Sequence, residues 1–144
     1  MVEKFILDCS VAANWLIHDQ DPESDKYARE IFKLLGSSQK IHAIVPHLWS
    51  YELVNTMALI ERVKKIPNIE ILDFLSMIEE LPISLSQEFT FIPREILELA
   101  NHYHLSAYDA TYLHLAIRKG LPVATRDKKL IKAMEKAGIK LQEA

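Results

Sequence analysis

The chain has 144 residues, of which 49% are hydrophobic and 26% are charged, and this composition predicts one folded domain over residues 1–144 and excludes a disordered chain. No apolar run approaches the roughly 20 residues of a membrane-spanning helix, and the N-terminal segment reaches Asp8 too soon for a signal peptide, so we expect a cytoplasmic protein with no membrane contact. The single cysteine excludes an internal disulfide and a cysteine zinc cluster, and the net charge of −3 is not that of a general nucleic-acid binder.

Short apolar strands alternate with amphipathic helices in the first half of the chain. The predicted elements are, in order, a strand over 5–7, a short helix over 11–16 capped by Ser10, a polar loop over 18–24, a helix from Pro22 that ends at Gly36, a strand over 41–45, and helices over 48–64 and 69–80. Strands that alternate with helices are typical of parallel sheets.

The second half continues the same alternation. Its predicted elements are a strand over 83–85, helices over 93–103 and 106–119, a short strand over 123–124, a helix over 128–137 and a final strand over 139–141. We therefore expect an α/β fold, with a parallel sheet covered by helices on both faces. The chain has neither a GxGxxG nor a GK[ST] motif, which argues against a nucleotide cofactor.

Four acids occupy equivalent places in these strand–helix units. Asp8 and Asp127 follow predicted strands, whereas Glu52 and Asp109 lie in the first turns of predicted helices. Ligands of open α/β sheets bind beyond the carboxyl ends of the strands, so we expect the four carboxylates to meet at that edge. Apolar residues flank Glu52 and Asp109 in the sequence, and an ionised carboxylate is disfavoured in apolar surroundings.

Each acid also has a purely structural interpretation. Asp8 and Glu52 are placed to favour the start of a helix, Asp109 completes a capping box with Ser106, and Asp127 is placed to cap the last helix. Clustered carboxylates otherwise need cations or protons to offset their repulsion. A set of oxygen ligands suits Mg²⁺ or Mn²⁺, and one or two such ions would serve phosphodiester hydrolysis.

Polar and basic neighbours extend the candidate site. Ser10, Asn55 and Thr125 are placed to orient carboxylates or a bound water, although caps and turns use the same residue types. Arg126, Lys128 and Lys129 follow next to Asp127 and are candidates for contacts with RNA phosphates.

At this point the chain resembles the PIN-domain ribonucleases, close to the VapC-type toxins of toxin–antitoxin pairs. The resemblance is carried by four ordered segments, ILDCSV at 6–11, PHLWSYELVN at 46–55, LSAYDATYLHLA at 105–116 and LPVATRDKKL at 121–130. Each segment is weak alone, whereas the ordered set is fairly specific and spans nearly the whole chain. Residues 66–90 match nothing diagnostic.

The resemblance implies a three-layer α/β/α sandwich with a central parallel sheet of four to five strands. It implies Asp8, Glu52, Asp109 and Asp127 as catalytic acids and as ligands of Mg²⁺ or Mn²⁺. It also implies RNA as substrate, a homodimer, and in many cases an inhibitory antitoxin partner.

Several other residues favour structural roles. Cys9 is expected to be a buried small residue, and the six histidines show no metal-binding spacing. Four aromatic residues could stack bases but are expected in the core or in a dimer interface; they are Trp15, Trp49, Tyr108 and Tyr112.

Two other functions compete with a nuclease. One is a non-catalytic RNA- or protein-binding module whose acids are caps. The other is a phosphoryl-transfer enzyme that uses Asp8, which ranks last because the Asp8-x-Ser10 strand end lacks a second aspartate.

Overall fold

The computed structural model describes residues 2–18, 21–64, 66–87 and 92–144. Its elements are β1 (Glu3–Leu7), α1 (Cys9–Ala13), α2 (Pro22–Ser37), β2 (Ile41–Val45), α3 (Leu48–Val63), α4 (Asn68–Glu80), β3 (Ile83–Leu85), α5 (Pro93–Tyr103), α6 (Ala107–Lys119), β4 (Val123–Ala124) and α7 (Lys128–Ala137). None of the helices within these ranges is long and apolar enough to cross a membrane.

The sheet has four parallel strands in the order β3-β2-β1-β4. Phe5 pairs with Ala43 on one side of β1, and Leu7 pairs with Ala124 on the other. The chain moves outward from β1 through β2 to β3 and then crosses back to β4. The direction of the connections therefore reverses between β1 and β4, and ligands of such sheets bind outside the strand ends at this reversal.

Helices cover both faces of the sheet. Because crossover connections are right-handed, the reversal places α1–α4 on one face and α5–α7 on the other. The helix pairs in contact agree with this division, since α1 packs on α2 and α3, α3 packs on α4, and α6 packs on α5 and α7. The expected three-layer α/β/α sandwich is confirmed.

The core lies between the sheet and these helices. Its fully buried side chains include Phe5, Ile6, Leu7 and Val45 from the strands and Tyr112 from α6. A strand with both faces covered is apolar without alternation, as Phe5-Ile-Leu7 is. The predicted burial of Cys9 is also confirmed.

Most predicted elements are present, with differences at their ends. β1 begins at Glu3 rather than Phe5, and α2 ends at Ser37 rather than Gly36. α1 begins at Cys9 and ends at Ala13, because Asp8 rather than Ser10 takes the N-cap position. The predicted cap at Ser10 was therefore wrong. α4 begins one residue earlier than predicted, at Asn68. The final strand over 139–141 was overextended, since only Leu141 forms a bridge, parallel to Val123.

Candidate active site

Asp8 directly follows β1, at the point where the direction of the sheet connections reverses. Its backbone N–H donates to the carbonyl of Ala124 in β4 at 3.0 Å, which fixes the residue between the two strands. The carboxylate is buried, and its Oδ2 accepts hydrogen bonds from the hydroxyls of Thr125, at 2.7 Å, and Ser10, at 2.9 Å. These donors, which stabilise a negative charge, come from a strand end and from the first turn of α1.

Glu52 reaches the site from the second turn of α3, because the helix begins at Leu48; the expected place in the first turn was wrong. It is half-buried, and its Oε1 accepts a hydrogen bond of 2.7 Å from the hydroxyl of Tyr112. Tyr112 is fully buried in α6, so this bond joins helices of the two outer layers across the edge of the sheet. The position of Glu52 therefore depends on the packing of both helices.

Asp109 lies in the first turn of α6. The hydroxyl of Ser106 caps this helix by accepting the N–H of Asp109 at 3.1 Å, as the capping interpretation predicts. The cap satisfies the backbone N–H of Asp109, and a side-chain hydrogen bond with Ser106 also counteracts part of the rise of the Asp109 pKa. The side chain is partly buried and close enough to Asp8 and Asp127 for repulsion between the charges.

Asp127 follows β4 and caps α7. Its Oδ1 accepts the N–H of Leu130 at 3.0 Å, and its own N–H donates to Thr125 Oγ1 at 3.1 Å. Because the same Thr125 hydroxyl donates to Asp8, one fully buried side chain ties two of the four acids together. The predicted cap role of Asp127 is confirmed, and it leaves the second carboxylate oxygen for other contacts.

The acids influence one another electrostatically. Burial is the largest cause that raises the pKa of each of Asp8, Glu52 and Asp109. Repulsion adds to it: Asp127 raises the pKa of Asp8 and of Asp109, and Asp8 raises the pKa of Glu52. The four acids thus share one edge, as expected.

The carboxylates do not form a closed ligand cage. Within the described ranges, no three histidine, cysteine or acidic side chains form a group that could hold a metal. Each of Asp8, Glu52 and Asp127 instead accepts a hydrogen bond from the chain itself. The donor set remains one of oxygen atoms, the type that Mg²⁺ and Mn²⁺ prefer, and a cation would relieve the repulsion that raises these pKa values.

The three supporting polar residues differ in their placement. Ser10 and Thr125 both bind Asp8, as their spacing suggested. Asn55 is exposed and lines a recess of about 440 Å³ together with Glu52, but among the described residues no hydrogen bond connects it to an acid of the site. The neighbouring Thr56 donates to the backbone carbonyl of Glu52 rather than to its carboxylate.

The basic residues beside Asp127 fall into two groups. Arg126 turns toward α2, where its Nε donates to Ser24 Oγ at 3.3 Å, a terminal nitrogen lies 3.9 Å from Asp21, and the guanidinium lies 5.6 Å from the centre of the Tyr27 ring. Lys128 and Lys129 are exposed. Arg126 therefore secures the β4–α7 loop to α2, and the two lysines face solvent.

Tyr112 is the contributor to this site that was not singled out as part of it. It lies three residues after Asp109, and that spacing places two side chains on one helix face. The expectation of a core position is right for Tyr112 and Trp49, which are buried. It is wrong for Tyr108, which is 63% exposed; an interface role for Tyr108 stays a prediction.

Comparison with known proteins supports the fold and the family. A crystal structure of PAE2754 from Pyrobaculum aerophilum superposes with a TM-score of 0.69; the match covers 92% of this chain and 87% of that chain at 20% sequence identity. At this identity the likeness concerns the fold alone. No curated protein gives a significant sequence match.

The family model for the PIN domain matches residues 5–136. The matched range contains all four acids and every strand of the sheet except the first residues of β1. PIN domains are typically nucleases, and such nucleases generally use divalent metal ions. The chain belongs to the PIN domain family.

Proposed function

We propose that the protein is a metal-dependent endoribonuclease that hydrolyses RNA phosphodiester bonds, with Asp8, Glu52, Asp109 and Asp127 as its catalytic acids. The observation that carries this proposal is the placement of four acids at one sheet edge of a PIN domain, with three of their pKa values raised by burial and mutual repulsion. Such shifts concentrate at functional sites.

The same four acids are the proposed ligands of Mg²⁺ or Mn²⁺. A bound divalent ion would supply activation of water and stabilisation of the leaving oxygen. The chain's own groups hold the ligands in place: Thr125 and Ser10 fix one oxygen of Asp8, and Tyr112 fixes one oxygen of Glu52. Such supporting bonds orient carboxylate ligands.

A role as the toxin of a toxin–antitoxin pair is part of the proposal. Its support is the ordered set of motifs that resembles VapC-type toxins. The proposed partners are an RNA substrate, an inhibitory antitoxin and a second copy of the chain, and the proposed location is the cytoplasm.

The proposed homodimer has a candidate surface on α3 and α4. Six apolar side chains on these two packed helices are more than half exposed: Tyr51, Val54, Leu59, Val63, Ile69 and Leu72. Contiguous apolar patches on a protein surface are typical of interaction sites, and we propose that these side chains form one.

Cleavage of a mixed RNA pool tests the nuclease directly. Wild-type protein, Asp109→Asn and the control Asp73→Asn, whose exposed acid lies on α4, are compared with Mn²⁺ and with EDTA. We expect cleavage by wild type and control in Mn²⁺, and a reduction of roughly 100-fold or more in Asp109→Asn and in EDTA.

A different result would support the binding module. The observation that favours a binding module is that Asp127 caps α7, a structural role that needs no metal. If the folded wild type cuts no RNA and Asp8→Asn leaves Mn²⁺ binding unchanged in calorimetry, the nuclease proposal fails. RNA binding that is indifferent to metal and to acid-to-amide changes would then favour the module.

A further inference from the structure

α7 presents four lysines on its solvent side. We call Lys128, Lys129, Lys132 and Lys136 the α7 lysine face; all four are exposed. The opposite side of α7 is buried through Leu130, Ala133 and Met134. The spacing of three and four residues places the four lysine side chains next to one another along the helix.

The fold balances only part of the charge of these lysines: Lys128 interacts electrostatically with Asp21, and Lys129 with Asp109. Residues 128–140 carry five lysines and one glutamate in a chain whose net charge is −3. Within the described ranges, no salt bridge joins a carboxylate to the α7 lysine face, whereas Lys26 of α2 lies 3.9 Å from Glu30. Most of the positive charge of the α7 lysine face is therefore available to an external anion.

The stability of α7 does not explain why lysines occupy positions 128 and 129. The N-terminus of a helix carries a partial positive charge, so cations in the first turn are unfavourable there and anions are favourable. Lys128 and Lys129 nevertheless occupy the first turn of α7, which contains no acid beyond its cap, Asp127. Lys136, in the last turn, is the one lysine of the face that the helix dipole favours.

The α7 lysine face begins at the candidate active site. The helix starts directly after Asp127, and Lys129 is close enough to Asp109 to counteract the rise of its pKa. The 10 residues of α7 extend about 15 Å from that edge at 1.5 Å per residue. A polyanion bound at the four acids and passing over α7 would thus meet the lysines in succession.

We propose that the α7 lysine face binds the phosphate backbone of a single-stranded RNA segment that flanks the cleavage site. This inference rests on the proposed ribonuclease function and extends its substrate contacts beyond Lys128 and Lys129 to Lys132 and Lys136. A single strand fits because the cations follow one helix face. The domains that specialise in double-stranded RNA span about 16 base pairs and several grooves, which is longer than this helix.

Salt dependence of binding measures these contacts. Lys129→Gln/Lys132→Gln/Lys136→Gln is compared with the charge-matched control Lys33→Gln/Lys40→Gln/Lys64→Gln. The control lysines are exposed, and none belongs to α7: Lys33 lies toward the end of α2, Lys40 directly before β2 and Lys64 directly after α3. Both triples are made in the Asp109→Asn background, so that a labelled single-stranded RNA stays intact, and thermal unfolding confirms that each variant folds.

Fluorescence anisotropy at salt concentrations from about 50 to 200 mM then gives the slope of log affinity against log salt. Each phosphate contact of a single strand contributes about −0.7 to this slope. Because three lysines are removed, we expect the slope of the α7 variant to be about 2 less negative than that of Asp109→Asn alone. The control triple should keep the slope of Asp109→Asn. In the cleavage assay, the α7 triple in the otherwise wild-type protein should raise KM several-fold.

The inference would be overturned if the α7 variant had the same slope as Asp109→Asn alone. It would also be overturned if the control triple changed the slope as much as the α7 triple does. No measurable RNA binding at the lowest salt, or a larger loss for duplex than for single-stranded RNA, would also overturn it. The test separates the two proposals, because binding is measured without cleavage. If the protein cleaves no RNA but the salt slope of its RNA binding still depends on the α7 lysines, the nuclease proposal fails and the proposed RNA-binding surface stands.

Discussion

Thr125 joins two of the candidate catalytic acids through one hydroxyl group. The group donates to Asp8 at 2.7 Å and accepts the N–H of Asp127 at 3.1 Å, and the residue is fully buried. Water cannot replace either bond at a fully buried position. The hydroxyl therefore holds the two strand ends of the site in register.

We expect Thr125→Val to damage both stability and activity. The change keeps the shape of the side chain but leaves a buried carboxylate and a partly buried N–H short of a partner, which costs about 1–3 kcal/mol. Activity should fall by roughly 10–100-fold, as for other groups that orient carboxylate ligands. Chemical denaturation and the RNA cleavage assay measure the two effects.

Two controls separate the hydroxyl from its surroundings. Thr125→Ser keeps the hydroxyl and should retain most of the activity. Ser10→Ala removes the other donor to Asp8, but Ser10 is exposed and water takes its place, so the loss of stability should stay below about 1 kcal/mol. A Ser10→Ala variant as impaired as Thr125→Val would contradict the assigned importance of Thr125.

Contacts of this kind limit what the sequence reveals at the residue scale. The four acids could be predicted because each has a fixed place relative to its own strand or helix. The hydrogen bond of Thr125 to Asp8 joins residues 117 positions apart, and that of Tyr112 to Glu52 spans 60. Local spacing indicates which face such a side chain occupies, but only the packing of distant elements decides what it meets.

At the scale of elements, Asp127 is both a helix cap and a candidate metal ligand. Asparagine caps helices as well as aspartate does, whereas alanine does not. We expect Asp127→Asn to keep the stability of α7 while it loses RNA cleavage. Asp127→Ala should lose cleavage and about 1 kcal/mol of stability as well.

Thermal unfolding and the cleavage assay together distinguish the two roles of Asp127. If Asp127→Asn cleaves RNA as fast as the wild type, the carboxylate is only a cap. The Asn variant is the informative one, because reduced activity of the Ala variant alone could arise from a frayed α7.

Element boundaries were predictable where turn and cap residues mark them. Ser106, Asp21 and Gly138 mark helix ends, and the structure places each in a cap position. The start of α1 was missed because Asp8 occupies the N-cap position while its carboxylate binds the hydroxyls of Ser10 and Thr125 instead of capping. Tertiary contacts that redirect a side chain in this way leave no local pattern.

At the scale of the whole molecule, the exposed apolar side chains of α3 and α4 lead to a prediction on assembly. Val54 is 57% exposed in this surface. We expect Val54→Lys to convert the proposed homodimer to a monomer, because a lysine there would have to be desolvated in the interface. Light scattering after size-exclusion chromatography measures the molar mass.

Leu97→Lys provides the control for that experiment. Leu97 is similarly exposed, at 60%, but lies on α5, in the opposite helical layer. It should leave the molar mass unchanged. A wild type that is monomeric at all concentrations would contradict the dimer, and a dimer that Val54→Lys leaves intact would place the interface elsewhere.

The shared acidic edge also makes the stability of the whole molecule depend on pH. Burial, then repulsion, raises the pKa values of Asp8, Glu52 and Asp109 above 3.8 for aspartate and 4.5 for glutamate. The folded protein therefore holds these protons more tightly than the unfolded chain does. As pH rises from these ordinary values through the raised ones, the free energy of unfolding must fall.

Asp21 contributes with the opposite sign and at lower pH. Hydrogen bonds, first from the backbone of Glu23, lower its pKa below 3.8, so its stabilising contribution is present above that value and is lost only as pH falls further. The two effects thus occupy separate pH ranges. Above about pH 4, the contribution of Asp21 is constant, so the effect of the acidic edge should make the free energy of unfolding fall as pH rises.

We therefore expect EDTA-treated Asp8→Asn to melt a few degrees higher than the EDTA-treated wild type at neutral pH. The difference should shrink toward about pH 4, where the wild-type acid regains its proton. Thermal unfolding from about pH 4 to about pH 8 measures it, and Asp73→Asn should follow the wild-type curve. A difference that is constant with pH would mean that Asp8 acts by packing alone.

Mn²⁺ should reverse the order of the two melting temperatures at neutral pH, because an ion that binds only the folded protein stabilises the chain that keeps the ligand.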